Sequence, residues 1–391
     1  MLRFQSFLRE MNEANEAKLK HLEHLEDHPI NAGQEGVAHA LNNLQDVHRK
    51  LRGRNNDTKI TMKYDGSPSV VFGHHPENGK FFVASKSAFN KNPKLNYTEA
   101  DIEKNHGHAP GLVEKLKAAL HHLPKVVPPR GVYQGDIMHT KGDVKEDGGK
   151  VHFTPNTITY SAPKNSQHGK AAANSKIGVA LHTAYRGDNL EDMKAQYAPD
   201  LSHFGHHKDV HLISTEHNLD KIKYSPEQQA KFNEHYKMAV RAARHIPPEG
   251  HEAVAGHRLP LKTYINSTVR DESTPTVEGF MKHYKNAHQK GIDKVKTEKA
   301  KQAKTVEMQR ALQDIHDNRE HFENTLQLHK HLQGAKDVLT HALASHAEFG
   351  HSINGKKSKP EGFVVVRNNR PTKFVDRAEF SRANFNKDKA E

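Results

Sequence analysis

The chain contains no cysteine among its 391 residues. This absence excludes disulfide bonds, zinc sites built on thiolates and catalysis by a cysteine nucleophile. The first residues also lack the apolar core of a signal peptide, and no hydrophobic run approaches the length that spans a membrane. We therefore expect a soluble cytoplasmic protein with no membrane partner.

Positive charge is in excess, with 59 Lys and Arg against 47 Asp and Glu and a formal net charge of +12. Such an excess favours a polyanionic partner, because Lys and Arg contacts release counterions from a phosphate backbone. The 33 histidines are spread throughout the chain, so we attribute them to composition rather than to metal binding. Two groups nevertheless have spacings that could hold a metal: His203, His206, His207 and His211, and His21, His24 and His28.

Hydrophobic periodicity divides the chain into four parts. Residues 1–57 have helical spacing, and residues 58–222 alternate short strands with helices. Residues 223–350 are almost wholly helical, and strand patterns return in residues 351–391 before a C-terminal helix. We therefore predict an α+β fold in which a large helical insertion interrupts a mixed core.

Three short segments rich in β-formers, at 60–64, 70–72 and 81–84, are separated by turn signals. The first turn is Asp65-Gly66, a dipeptide that is typical of hairpins. The three segments are therefore predicted to form an antiparallel meander. Helices are predicted to begin after Thr98, which has Asp101 at the capping-box position, and at Ser225.

Lys63 lies at the end of the first of these strands, beside the tight turn. To attack phosphorus, its amine must lose a proton, which nearby cations or a metal can promote. A leaving pyrophosphate needs positive charge around it, so further Lys or Arg residues and a divalent metal are expected companions. Taken alone, Lys-x-Asp-Gly is a weak signal, because Asp-Gly also marks ordinary hairpins.

Four further elements follow Lys-Tyr-Asp-Gly at 63–66 in a recognisable order. They are Ser-Lys at 85–86, Tyr-Gln-Gly-Asp at 133–136, Glu-Gly-Phe-Val-Val-Val at 361–366 and Arg-Pro-Thr-Lys-Phe at 370–374. The series resembles motifs I, III, IV and V, and the Ser-Arg element, of the covalent nucleotidyltransferases. That superfamily comprises ATP-dependent RNA and DNA ligases and mRNA capping enzymes. The chain is also similar to ligase-like proteins of large tailed bacteriophages.

The resemblance implies a ligase-type core of antiparallel sheets with flanking helices, ATP as the substrate, and Mg²⁺ or Mn²⁺. Lys63 would carry a covalent lysyl-AMP, and Lys373 would reach the α-phosphate. The same resemblance implies a set of nucleotide-binding residues, two of which would also hold the metal. The set is Asp65, Gly66, Lys86, Asp136 and Glu361, with Glu361 and Asp136 as the metal ligands.

The chain departs from the family pattern at two cationic positions. Pro68 stands where motif I usually has Arg, and Val375 stands where motif V has a second Lys. Arg367, Arg370 or Arg377 could replace the missing charge, and the sequence leaves all three open. The chain also ends soon after motif V, which favours an RNA ligase over enzymes with a C-terminal OB-fold.

Two other motifs lead to secondary expectations. Residues 350–356 match most of a P-loop, but Lys357 replaces the required Ser or Thr and a helix precedes the segment, so we expect a solvated loop. Residues 4–10 are similar to the leaders that direct proteins into phage proheads, although a docking helix is the simpler interpretation.

The sequence thus favours an ATP-dependent ligase for nucleic acid, either RNA or nicked DNA, with RNA preferred. GTP in place of ATP would indicate capping chemistry, and transfer of the nucleotide to a protein or small molecule is a further option. The main alternative is a virion-associated or nucleic-acid-binding phage protein, with the capsid as partner, that retains the fold without full turnover. The protein would then be found in the host cytoplasm or packaged in the virion.

Overall fold

A computed structural model describes residues 22–377. The segment 4–10 and the C-terminal helix expected near residue 391 lie outside this range. Helices and several antiparallel sheets both occur, which confirms the mixed α and β class. Within residues 22–377 no helix combines the length and apolar character needed to cross a bilayer. The chain divides into two compact units, a β-rich unit (57–218 and 346–371) and a helical unit (23–56, 219–345 and 372–377).

Strand pairing organises the β-rich unit, and the strands of residues 22–377 form three sheets. One sheet has the order β1–β13–β14, and the chain passes into the helical unit within β14, after Pro371. A second has the order β10–β8–β4–β2–β3 with β9 also on β8, and a third has the order β12–β11–β7–β6–β5. The strands are β1 Lys59–Lys63, β2 Ser69–His74, β3 Phe81–Ala84, β4 Gly131–Thr140, β5 Lys145–Asp147, β6 Lys150–Phe153, β7 Thr159–Pro163, β8 Ile177–Arg186, β9 Lys194–Tyr197, β10 Val210–Ser214, β11 Gly350–Ile353, β12 Lys356–Lys357, β13 Gly362–Arg367 and β14 Arg370–Val375.

The predicted meander is wrong for its first strand. Strands β2 and β3 do form an antiparallel hairpin, but β1 pairs with β13 from the far end of the chain. Asp65-Gly66 therefore connects two different sheets instead of closing a hairpin. The dipeptide is typical of hairpins, but pairing depends on which apolar faces become buried together.

The first α-helices of residues 22–377 are α1 His28–Leu51, which belongs to the helical unit, and α2 Glu99–His106, α3 Pro110–His122 and α4 Gln167–Asn174, which belong to the β-rich unit. Helix α3 packs on the central sheet of the β-rich unit, where it contacts β3, β4 and β8. The predicted capping box is confirmed, since Thr98 and Asp101 exchange side-chain and backbone hydrogen bonds at the start of α2. Apolar residues of α3, including Leu116, pack with Val70 and Phe72 of β2, so both surfaces leave water.

The segment that matches most of a P-loop is a β-hairpin. Strands β11 and β12 pair with Ser352 opposite Lys357 and Ile353 opposite Lys356. Asn354 and Gly355 form the turn with positive φ angles of 50° and 76°, a conformation that Asn and Gly adopt most readily. The expected loop is therefore an ordered strand pair, and the element that follows it is strand β13, whereas a P-loop leads into a helix that presents backbone amides to a phosphate.

Two segments far apart in sequence build the helical unit. Ile30 at the start of the first segment packs into the same core as Leu261, Phe280 and Phe322 of the second. Ser225 caps the first helix of the second segment, as predicted. The helices of this unit after α1 are α5 Pro226–Arg244, α6 Pro248–Gly256, α7 Arg258–Arg270, α8 Val277–Asp293, α9 Glu298–Asp317 and α10 Arg319–Leu343.

A buried ion cluster joins three segments of the helical unit. Lys336 of α10 is fully buried, and its Nζ donates to both carboxylate oxygens of Glu26 at 2.9 and 3.1 Å. Arg377 donates to both oxygens of Asp27 at 2.8 and 3.0 Å. Burial raises the pKa of Glu26, but the charges of Lys336, His24 and Arg377 together outweigh burial and lower that pKa to about 2. The cluster therefore consists of ionised groups whose desolvation is offset only while every partner is present.

We predict that Lys336→Ala destabilises the protein by about 3–5 kcal/mol, because the Glu26 carboxylate would remain buried without its ammonium partner. Denaturant unfolding followed by circular dichroism measures the change. The control is Lys330→Ala, an exposed position on the same helix, for which about 0.5 kcal/mol or less is expected. Similar losses for both variants would contradict a structural role for the cluster.

Asp337 gives a pH-dependent prediction. Burial, together with the carboxylates of Glu26 and Asp376, raises the pKa of Asp337 from 3.8 to about 6. Because the folded pKa lies above the unfolded one, ionisation of this group costs stability as the pH rises through about 6. Asp337→Asn should therefore raise the free energy of unfolding by about 1–3 kcal/mol at pH 8 and much less at pH 4.

Unfolding of Asp337→Asn and the unsubstituted protein is compared at each pH, so that titration of all other groups cancels. Glu307→Gln, at an exposed position of the same unit, is the matched control. A gain that is equal at both pH values would show that burial of the charge is not its cause.

Candidate functional site

The pairing of β1 with β13 brings a lysine and a glutamate together at one edge of a sheet. The two strands run antiparallel, with Lys63 at the end of β1 opposite Gly362 at the start of β13. Glu361 immediately precedes Gly362, and Lys63 Nζ donates to Glu361 Oε1 across 298 positions of sequence. Their side chains are 26% and 17% exposed, so both remain within reach of a solute.

Asp65 fixes the direction of the chain as it leaves Lys63. Its backbone N–H donates to the hydroxyl of Tyr160, which is fully buried, at 2.7 Å. Its carboxylate accepts three hydrogen bonds from one turn of the chain. The donors are Asn156 Nδ2 at 2.8 Å, Thr157 N at 2.8 Å and Ile158 N at 3.1 Å. These contacts make Asp65 a positioning residue of the segment that follows Lys63.

Gly66 allows the chain to pass directly against β4. A Cβ atom at this position would lie 2.5 Å from Asp136 Cβ and 2.9 Å from Met138 Sδ, closer than such atoms can approach. Its backbone conformation is ordinary, so the requirement is one of space. Glycine here lets the carboxylate of Asp136 lie beside the segment that carries Lys63.

Asp136 lies in the middle of the central sheet. It is opposite Ser69 on β2 and Ala180 on β8, and its Oδ1 lies 3.6 Å from His182 Nε2. Burial raises the pKa of Asp136, but the charges of His182 and Lys63 and hydrogen bonds from His182 and Ser69 lower it overall. Asp136 is therefore an ionised carboxylate at neutral pH, and it lies close enough to Lys63 for the lysine charge to lower its pKa.

His182 is a site residue that sequence reasoning missed. The register between β4 and β8 runs from Gln134 opposite Thr183 to Gly135 opposite Leu181, which leaves His182 without an opposing residue. Such a bulge rotates a side chain away from the regular alternation of the strand. The sequence offers only a histidine among β-forming residues, and strand alternation alone does not reveal a bulge.

Lys86 occupies the end of the central sheet. It begins a short 3₁₀ turn after β3, and the Ser85 hydroxyl accepts a hydrogen bond from Ser87 N to start that turn. Because Ala84 pairs with Val71, the turn lies at the same end of the sheet as the start of β2. Its side chain is exposed. Lys86 therefore lies at the end of the sheet where Ser69 pairs with Asp136.

The cationic residues near motif V are divided between the units. Lys373 belongs to the helical unit, where its backbone N–H donates to Glu23 O at 2.9 Å. Val375 is buried, and Arg377 is committed to the ion cluster through Asp27. Arg367 and Arg370, at the two ends of the β13–β14 turn, are the candidate replacements that remain in the β-rich unit.

Histidines of the β-rich unit form a hydrogen-bonded chain. His139 Nε2 lies 3.1 Å from His211 Nδ1, and His211 Nε2 lies 3.0 Å from His168 Nδ1. His168 Nε2 in turn lies 3.0 Å from Glu348 Oε2. Both nitrogens of His211 are thus used in hydrogen bonds. Between residues 22 and 377, no group of three or more His, Asp or Glu has a metal-binding arrangement, and His21 lies outside that range.

The β-rich unit therefore brings together an amine, two carboxylates and an imidazole from four strands or strand ends. Lys63, Glu361, Asp136 and His182 are partly exposed, and Asp65 and Gly66 hold the segment between them in place. A nucleophile beside carboxylates that can accept a proton or bind a cation is suited to attack on a phosphoryl group.

Comparison with known proteins finds that a family model matches the chain. No curated protein and no solved structure matches the chain. The family model covers residues 15–389 and thus includes both units and every residue of the candidate site. The chain therefore belongs to the Family of unknown function (DUF6267).

Proposed function

We propose that this protein is an ATP-dependent polynucleotide ligase that acts through a covalent lysyl-AMP on Lys63, with RNA favoured over DNA as substrate. The observation that carries the proposal is the contact between Lys63 Nζ and Glu361 Oε1, with Asp136 close by. These residues come from motifs that lie far apart in the sequence and meet at one site, as the ligase resemblance requires.

In the first step, the Lys63 ammonium passes a proton to solvent through the Glu361 carboxylate that it contacts, so that Glu361 is charged again when a cation binds. The neutral amine then attacks the α-phosphorus of ATP. A bond forms between Nζ and phosphorus while the bond from that phosphorus to the bridging oxygen breaks, pyrophosphate leaves with the electron pair, and the second proton of Nζ passes to solvent. An oxygen of a polynucleotide 5′-phosphate next attacks the same phosphorus, and the bond from Nζ to phosphorus breaks as Nζ takes up protons, which restores Lys63. A 3′-hydroxyl then loses its proton and attacks the activated 5′-phosphate, and AMP leaves as the strands are joined.

The carboxylates suit a divalent cation. Mg²⁺ in phosphate-handling sites binds one or two protein carboxylates and completes its shell with substrate phosphates and water. Asp136 and Glu361 are two such groups, and the lowered pKa of Asp136 keeps it in the charged form that a cation requires. Bound there, Mg²⁺ or Mn²⁺ would supply positive charge to the phosphates of ATP.

The β-rich unit is the proposed nucleotidyltransferase core, corresponding to residues 58–222 with the return at 351–391. Lys86 is proposed to contact the nucleotide sugar from the end of the central sheet, and Gly66 to border the nucleotide. Lys373 is the proposed partner of the α-phosphate. The residues 223–350 are the proposed insertion, and most of them, 223–345, belong to the helical unit.

A second candidate is a virion-associated or nucleic-acid-binding protein that keeps the fold without full turnover. Val375, at the position of the second motif V lysine, is buried, and Arg377 binds Asp27 inside the helical unit. The chain thus has no cation at position 375, and the charge of Arg377 is neutralised by Asp27. The ligase reaction would use cations at such positions. This alternative predicts nucleic-acid binding without a covalent adduct and recovery of the protein with purified phage capsids.

We expect incubation with α-labelled ATP and Mg²⁺ to label the protein, and Lys63→Ala and Lys63→Arg to abolish the label. Lys59→Ala is the matched control, because Lys59 lies on the same strand but is exposed and donates to Ala198 O. Gel electrophoresis after denaturation measures the adduct. Absence of label with any nucleoside triphosphate would refute the proposal, and label from GTP alone would indicate capping chemistry.

Glu361→Gln should slow adduct formation by about 10²-fold or more, because it removes the proton acceptor and a metal ligand while keeping the shape of the side chain. Glu146→Gln, at an exposed carboxylate of the same unit, is expected to react at the unsubstituted rate. Single-turnover rates of labelling measure the effect. Equal rates for Glu361→Gln and the control would exclude Glu361 from the reaction.

A further inference from the structure

A second concave surface lies at the opposite end of the central sheet from Lys86. We call it the arginine pocket; it has a volume of about 860 Å³ and is lined where β2 ends, β4 begins and β8 ends. This volume is in the range of about 300–1,000 Å³ that is typical of ligand pockets. Gly131 in its lining and Asp136 are five residues apart on β4, a separation of about 17 Å at about 3.4 Å per residue.

Positive charge and hydrogen-bond donors line this pocket. Arg130 and Arg186 are exposed, and Asp188 is the acidic residue in the lining. Arg186 Nε donates to Gln196 Oε1 at 2.7 Å, which holds the guanidinium in place. His74, His75 and His203 also line the pocket and add ring nitrogens. Guanidinium groups are well suited to bind phosphate, because they donate several hydrogen bonds in a plane and stay charged.

Tyr133 and two prolines give one part of the pocket lining an apolar character. Tyr133 is half-buried, and its ring packs edge-on against Phe204 with centroids 4.8 Å apart. Its hydroxyl donates to Arg130 O at 3.4 Å, so the ring is held beside one of the arginines. Pro128 and Pro129 continue this part of the lining. An aromatic ring next to arginines is the combination on which unpaired bases stack while their phosphates are bound.

We propose that the arginine pocket binds single-stranded nucleic acid, with phosphates on Arg130 and Arg186 and a base against Tyr133. A duplex keeps its bases inside, so it would contact only the arginines at the rim. The binding itself is independent of the ligase proposal. Its extension, that the bound strand leads to Lys63, rests on the proposed function and requires at least about five nucleotides at about 3.4 Å each.

Fluorescence anisotropy with labelled single strands of about 12 nucleotides, as RNA and as DNA, tests the binding. The double variant Arg130→Ala, Arg186→Ala should bind about tenfold more weakly. The slope of log binding constant against log salt concentration should also become less steep by about 1.4, because each phosphate contact to a single strand contributes about 0.7 to that slope. The control is Lys145→Ala, Lys150→Ala, which removes two exposed charges from the β5–β6 hairpin of the same unit. It should bind within about twofold of the unsubstituted protein.

The proposal is overturned if the two double variants bind alike, or if a blunt duplex competes as well as the single strand. Labelling with ATP alone separates this result from the ligase proposal. The arginine variant should form the Lys63 adduct at the normal rate, because the pocket lies away from the nucleotide. Arginine-dependent binding without any adduct would support the pocket proposal and reject the ligase proposal. Adduct formation without arginine-dependent binding would support the ligase proposal and reject the pocket proposal.

Discussion

The antiparallel pairing of β1 with β13 is the constraint on which the candidate site depends. Its hydrogen-bond register places Lys63 opposite Gly362 and so sets Glu361 beside the lysine amine. A shift of one residue would turn Lys63 to the other face of the sheet and separate the pair. Buried Ile60, Met62, Phe363 and Val365 resist such a shift, because it would exchange apolar and polar faces.

The surroundings of Lys63 are rigid because several weak constraints act on the same short segment. Asp65 is held by backbone amides of residues 157 and 158 and by the hydroxyl of Tyr160, while Gly66 permits contact with β4. Each hydrogen bond contributes only about 0.5–1.5 kcal/mol, but together they limit the directions in which the lysine can point. Preorganisation of this kind is what a nucleophile needs if it is to meet phosphorus in line.

The two units are stabilised in different ways. The β-rich unit relies on apolar faces of its sheets, such as Val70 and Phe72 packed against α3. The helical unit adds an ion cluster in which Lys336 and Arg377 neutralise Glu26 and Asp27 inside the protein. Burying these charges is costly, so a fold in which one partner is missing would be strongly destabilised. The cluster also ties the segments before α1 and after β14 to the long helix α10.

Local patterns in the sequence determined the elements themselves. The capping box at Thr98, the start of α5 at Ser225 and the strand that ends at Lys63 could all be predicted, because they depend on neighbouring residues. Only the tertiary structure decided that β1 leaves the meander, that a bulge turns His182 toward Asp136, and that residues 23–56 join 219–345. Those outcomes depend on burial between distant segments, and short-range spacing carries no information about it.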